Sequence, residues 1–410
     1  MNRLALLGMC LVLSACVQGP EGAPQGPSTV ALPGAALQGP RAMALLLPLT
    51  GPNANVAYAM QQAAQLAASA QGSPPLDVRD TGGDPQRAAD AAKAAIAAGD
   101  TIILGPLTAE ETRAVGIVAV PANIPVLAFS SDASVAAPGV WTLGITTSQQ
   151  MRRLVAAARD EGRKRISALL PTGPFGDAMQ TALTDAASEA GLETPTIQRG
   201  GGSATSAEEA LKSLTDYASR RGELEARIKA MRDSTDPSSR EQAALLASQP
   251  VPPPPFDTLV LGANGDSLRQ MAGLLPSYDV IAPQVRVLGP SFWSTQTSHL
   301  GRMAGAWYAV PDPSQRSGFT AAFQSKYFTP PPQFADIAFD AALIGRSLAQ
   351  DNDFSTAALT KSEGFSGVDG AMVLLPDGHV NRALAIYQIT PGGGARIVSP
   401  APGDLSTPGS

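Results

Sequence analysis

Residues 43–68, MALLLPLTGPNANVAYAMQQAAQLAA, decide the fold. MALLLPL is a short apolar run without charge, the pattern of a strand buried on both faces. Thr50-Gly51-Pro52 interrupts it with turn chemistry, and alanines then recur at helical period. The alternation continues through the apolar runs PLDVRD, TIILGP, PVLAFS and VWTLGI, with alanine-rich segments between them, so strand and helix alternate over about 100 residues. A parallel sheet covered on both faces is expected. Asp84-Pro85 supplies an N-cap followed by proline at the first helical position, and Thr108 with Glu111 has capping-box spacing.

A second series begins at Thr146, Thr147, Gln149 and Gln150, again at capping-box spacing, and runs through RISALLP, a helix over about 175–190, TPTIQR, DTLVLGA and QVRVLGP. It predicts a second lobe. Residues 205–249 are rich in Ala, Glu, Arg and Lys and end at a proline run, which reads as two helices inserted at the surface of that lobe. The charge run RRGELEARIKAMRD is either a solvated helix face or a docking surface. After GAWYAVPDP, two further helices are expected near 315–327 and 334–349. A hairpin through Pro376-Asp377-Gly378 follows, and residues 400–410 read as a disordered tail.

Composition excludes several classes of function. Cys10 and Cys16 are the only cysteines, both near the start, and His299 and His379 are far apart without an i, i+4 partner. A zinc site, a thiol nucleophile and a serine–histidine hydrolase therefore have no residues behind them. Asp80 and Asp266 lack an acid–base partner, so neither a catalytic role nor a cofactor is expected. The net charge is −6, or −7 once Arg3 is removed, with no basic block for a nucleic acid.

Met1 to Cys16 carries one basic residue, an apolar run and small residues at its end, the layout of an export signal rather than a membrane span. Leu13-Ser14-Ala15-Cys16 resembles the bacterial lipoprotein signal, which implies cleavage before Cys16 and lipidation of its sulfur and new amino terminus. Val17 follows, where retention at the inner membrane uses aspartate; the resemblance thus implies the outer membrane. Residues 17–40 combine Gly, Pro, Gln and Ser and read as a flexible linker.

LLLPLTGPNANVAYAMQQAAQLA, VRDTGGDPQRAADAAKAAI, IILGPLTAEETRAV, IPVLAFSSDASVA, LLPTGPFGDAMQTAL and FSGVDGAMVLLPDGHV resemble the type I periplasmic-binding-protein fold in its leucine-binding-protein branch, over about 42–398. LLLPLTGP, RDTGGDP and ILGPLTAEE look most like the penicillin-binding-protein activator lipoproteins, although no helical-repeat segment stands before them in this sequence. The resemblance implies an α/β fold of two lobes, each a parallel-sheet sandwich, joined by a three-strand hinge. Chain crossings are expected near Gly144-Ile145, Val310-Pro311 and Gly364-Phe365, giving a first lobe of 41–145 plus 311–365 and a second of 146–310 plus 366–399.

Small residues at strand ends leave backbone N–H groups open beside helix N-termini, so an oxyanion could be held in the cleft between the lobes without lysine or arginine. The candidate ligand-binding residues are Thr50, Asp80, Leu107, Thr108, Ser130 and Ser131 on one side, and Phe175, Asn264, Asp266, Ser291, Phe292 and Trp293 on the other. The aromatic members are candidates for stacking. Each has a bland alternative: Thr108, Asp84 and Ser131 also suit helix caps. Leucine-type binders place an aromatic residue, a serine and an acidic residue at positions that look like Val56, Ala109 and Ser291 here, so the resemblance implies loss of the ammonium clamp. Two functions are expected from different classes. One is a non-enzymatic, lipid-anchored periplasmic regulator of peptidoglycan synthesis that touches a penicillin-binding protein. The other is the substrate-binding lipoprotein of an ABC importer, for a small polar or aromatic ligand other than a free branched-chain amino acid.

Overall fold

The computed structural model describes residues 42–200, 204–249, 251–332, 334–403 and 405. The expected signal, Cys16 and the linker lie outside these residues. The first lobe is built on β1 (Met43–Leu47), α1 (Ala54–Ala68), β2 (Leu76–Asp80), α2 (Pro85–Ala98), β3 (Ile102–Leu104), α3 (Ala109–Ala119), β4 (Val126–Ala128) and β5 (Val140–Thr142). Its 5-stranded sheet has the order β2-β1-β3-β4-β5 and is parallel throughout. All five residues of β1 are buried because helices cover both faces. Met43, Leu45 and Leu47 face one core with Ala57, Met60 and Ala64; Ala44 and Leu46 face the other with Ala88, Ala92 and Val115. Each fully buried leucine contributes about 2 kcal/mol. Alanine-rich helices let the two layers approach closely, which is how a chain with 5% aromatic residues fills these cores.

The chain then enters the second lobe: α4 (Thr147–Asp160), β6 (Ile166–Leu170), α5 (Pro174–Glu189), β7 (Thr196–Arg199), α6 (Ala204–Leu214), α7 (Glu223–Arg232), α8 (Pro237–Ala247), β8 (Thr258–Leu261), α9 (Gly265–Leu274), β9 (Arg286–Gly289) and β10 (Trp307–Val310). It returns through α10 (Ser317–Tyr327), α11 (Ala335–Asp351) and α12 (Thr356–Leu359) to a 3-stranded antiparallel sheet of β11 (Phe365–Gly367), β12 (Gly370–Leu374) and β13 (Val380–Arg382). It ends in β14 (Ala385–Ile389) and β15 (Ala395–Ser399). The second sheet has the order β15-β14-β10-β9-β8-β6-β7, with β14 and β15 antiparallel and the rest parallel.

The caps behave as their spacing predicts. Thr108 and Glu111, and Thr146 and Gln149, form reciprocal capping boxes, and the Asp84 carboxylate accepts from the Arg87 N–H. Three boundaries differ from the sequence reading. Residues 366–382 pack on the first lobe, not the second: Met372, Leu374 and Val380 are buried in the core of Met43 and Leu45, and the chain re-enters the second lobe only at Leu384. The third crossing therefore lies beyond Arg382. Within 205–249, α6 is not an insertion, because Ala207, Ala210, Leu211 and Leu214 recur at i, i+3, i+4 and i+7 and bury in the second lobe's core. Finally, the start of the expected tail is tied down. Arg153 donates to Pro400 O at 3.1 Å, and Leu405 is buried.

Candidate functional site

Between the two sheets lies a cleft of about 1240 Å³. Val56 and Met60 of α1, Leu107, Phe129 and Ser131 line it from the first lobe; Phe175 and Ala178 of α5, Ser291 and Phe292 face them. The first two crossings, at Gly144-Ile145 and Val310-Pro311, also line it, with the Tyr308 and Tyr387 rings. These tyrosines are cross-strand partners of β10 and β14, stacked at 5.5 Å and 14°. Burial pushes the Tyr308 hydroxyl up to about 12, and the Tyr387 hydroxyl, also raised by burial, has no hydrogen-bond partner among the described residues. Phe175 and Phe292 meet at 5.4 Å, tilted by 52°. Phe129 and Phe334 add two rings from the opposite side. The lining is aromatic although the chain is not.

Asp132, which pairs with Arg113 at 3.5 Å, and Asp185 of α5 bring charge to the cleft, and one corner holds a cluster. Arg316 Nη2 lies 2.5 Å from Asp336 Oδ2, and its Nε lies 3.7 Å from Asp369; all three line the cleft. Behind them the fully buried Arg382 reaches Asp340 at 3.7 Å and Asp369 at 4.0 Å, and donates to Leu143 O at the first crossing. Burial, with the neighbouring Asp369 charge, pushes the Asp336 carboxyl up to about 7 and outweighs the pull of Arg316. Burial likewise lifts Asp340 to about 6, against Arg382 and the Val368 N–H.

Of the candidate ligand-binding residues, Leu107, Ser131, Phe175, Ser291 and Phe292 come together in this cleft. The others do not line it. Thr50 donates from both N–H and hydroxyl to the Asp80 carboxylate, at 3.1 and 2.7 Å. Asp80 also accepts from the Gly82 N–H and from Arg87. Burial would raise the Asp80 carboxyl, but these hydrogen bonds and the Arg87 charge hold it below its ordinary value. Thr108 caps α3. Ser130 is buried, its hydroxyl accepting from the Asp132 N–H. Asn264 sits at the N-cap of α9, and Asp266 pairs with Arg269 at the surface. Trp293 is fully buried: its Nε1 donates to Ala263 O at 3.0 Å, and its ring lies where a side chain at Gly289 would stand.

Sequence reasoning missed Phe129, Tyr308, Tyr387, Phe334 and the Arg316–Asp336–Asp369 corner. One local signal existed. Asp336 and Asp340 stand at i, i+4 on the apolar face of α11, where a carboxylate needs a buried partner. At Ser291 there is no carboxylate, and its N–H is held by Gln150 Oε1 at 2.7 Å.

Residues 42–218 match the model of a family described as periplasmic binding protein. A provisionally described branched-chain amino acid ABC transporter protein from Rhodospirillum rubrum superposes with a TM-score of 0.65 at 18% identity, covering 87% of this chain and 99% of that one. The C-domain of LpoA from Haemophilus influenzae, a regulator of PBP1A, superposes with a TM-score of 0.61 at 16% identity, covering 87% and 99%. This chain has the type I periplasmic-binding-protein fold. Full-length LpoA matches with a TM-score of 0.61 at 17% identity, and the chain covers 58% of its length. Among curated proteins none matches the sequence. The likeness to importer proteins and to LpoA alike reflects the shared fold, and one fold hosts both kinds of role.

Proposed function

We propose that this protein is a non-enzymatic periplasmic lipoprotein, anchored through Cys16, that regulates peptidoglycan synthesis by contact with a penicillin-binding protein. The observation that carries the reading is the α7–α8 hairpin. No residue of α7 is buried, α8 buries only Ala243, and none of their residues belongs to a core cluster of either lobe. The hairpin is nevertheless fixed in place. Arg220 and Arg221, in a π-helical turn over Ala218–Gly222, both reach Asp279, at 3.4 and 2.9 Å, and Arg220 donates to Pro252 O at 2.6 Å. π-turns of this kind are frequent at functional sites. An element that adds nothing to the core yet is held in one orientation suits a contact surface, and Arg227, Lys229 and Arg232 have no ion pair among the described residues. The fold shared with the LpoA C-domain supports the same reading. The test is a pull-down from solubilised membranes with the lipidated protein, expected to recover a penicillin-binding protein; its absence from the captured material contradicts the proposal.

The aromatic cleft favours a second reading, a substrate-binding lipoprotein of an ABC importer. Phe175, Phe292, Tyr308 and Tyr387 offer ring faces, and the Ser131 and Ser291 side chains offer polar contacts, which suits a small polar or aromatic ligand. A free amino acid lacks its counter-charge at Ser291, which carries no carboxylate, and Asp336 and Asp369 are committed to Arg316. Closure of hinged lobes over such a ligand is the ordinary use of this fold. A melting-temperature rise with a metabolite, lost in Phe175→Ala, is the result that selects this reading.

A further inference from the structure

A second cavity, of about 310 Å³, lies between the carboxyl-terminal half of α11 and the β11–β12 sheet, and shares no lining residue with the cleft. Its walls are mostly polar. Ser347 and Gln350 of α11 and Ser366 of β11 line it, together with two cations, Arg346 and Lys361. At a rise of 1.5 Å per residue, Ser347 stands about 16 Å along α11 from the Asp336 end that faces the cleft.

The two cations are unusually placed. Both are half-buried, where arginine and lysine ordinarily have a carboxylate partner, yet neither makes an ion pair among the described residues. Arg346 spends one N–H on Ala67 O, at 3.3 Å, and the Lys361 ammonium rests 4.6 Å from the Phe365 ring centre. Asp340 also borders the cavity but does not neutralise it. One oxygen accepts from the Val368 N–H at 2.7 Å, the other faces Arg382 at 3.7 Å, and the side chain is fully buried. Glu363, an exposed neighbour that feels the Lys361 charge, does not line the cavity, so the net charge on its walls is positive.

We propose that this cavity is a binding site for a small hydroxylated oxyanion, separate from the inter-lobe cleft. The arginine fork matches two oxygens of one phosphate or carboxylate, the ammonium adds a point charge, and Ser347, Ser366 and Gln350 suit ligand hydroxyls. The volume sits at the small end of ligand cavities and accommodates a group of about sugar size. A phosphate ester and a sugar acid share this chemistry, so both are probed.

The test is calorimetric titration of the full-length protein with glucose 6-phosphate and, separately, with gluconate, in chloride at matched ionic strength. Saturable binding of at least one probe is expected, with the better binder naming the oxyanion. Lys361→Gln should weaken it about tenfold, the loss of one charge-assisted contact. Arg346→Gln should weaken it further. Because Arg346 also ties α11 to α1, the decisive variant is Lys361→Gln, whose side chain holds no ion pair. Binding of neither probe above the chloride control, or equal binding by wild type and Lys361→Gln, overturns the proposal. The site uses no cleft or hairpin residue, so its outcome is distinct from that of the penicillin-binding-protein reading.

Discussion

Arg316, which follows the second crossing, holds Asp336 at the start of α11 with an N–O distance of 2.5 Å, at the edge of the cleft. Asp369 lies on the other side of the same guanidinium. One cation thus stands between two carboxylates from segments far apart in the chain. Arg316→Ala leaves Asp336 buried without its nearest counter-charge. A loss of about 3 kcal/mol is expected, read as a lower urea midpoint.

The same corner makes stability depend on pH. Asp336 and Asp340 are raised to about 7 and about 6 by burial, above their unfolded value of 3.8. The folded chain keeps protons that the unfolded chain has released. The stabilisation from these groups is complete below the unfolded value and is lost as pH rises through about 6 to 7. Urea midpoints should fall between about pH 5 and pH 8, and Asp336→Asn should flatten that slope. A slope unchanged by the substitution contradicts the assignment.

Trp293 and Phe175 separate structure from site. Trp293→Ala empties a buried position and removes the hydrogen bond to Ala263, at an expected cost of about 3 to 5 kcal/mol. Phe175 is 37% exposed at the cleft mouth, so Phe175→Ala should cost under about 1 kcal/mol. Equilibrium unfolding of the two variants checks both values.

Thr108→Ala removes the cap of α3 and should cost about 1 kcal/mol without altering any cleft ligand, since Thr108 does not line the cleft.

Leucine should leave the melting temperature unchanged. A ligand at 100 times its dissociation constant adds about 2.7 kcal/mol, a shift easily seen by thermal melting. With Ser291 at the position of the clamp and its N–H on Gln150, no free carboxylate meets the ammonium there.

Much of the fold was legible because its signals are local. β1 reads as an uninterrupted apolar run, Asp84-Pro85 and the two capping boxes mark helix starts, and the turn before His379 closes with hydrogen bonds at Leu375. The cleft was legible only where a strand end runs directly into it, at Leu107, Ser131, Phe175, Ser291 and Phe292. Trp293 misled because a ring three residues after a Gly-Pro can turn outward or inward, and the missing side chain at Gly289 draws it in. Tyr308 and Tyr387 meet only through the pairing of β10 with β14, and Arg316, Asp336 and Asp369 only through the packing of α11 and the β11–β12 turn within the first lobe. The boundary at Arg382 was misplaced for the same reason: β12 and β13 bury their side chains against β1, which lies more than 300 residues away. Such pairings carry no period or spacing.

The account rests on the α7–α8 hairpin as a contact surface. Its direct test is the rate of glycan polymerisation by the penicillin-binding protein recovered in the pull-down, measured with the wild-type protein and with Arg227→Glu, Lys229→Glu and Arg232→Glu combined, a change that touches no buried residue. The wild type should change the rate and the variant should not. No change with the wild type, or the same change with both, contradicts the account.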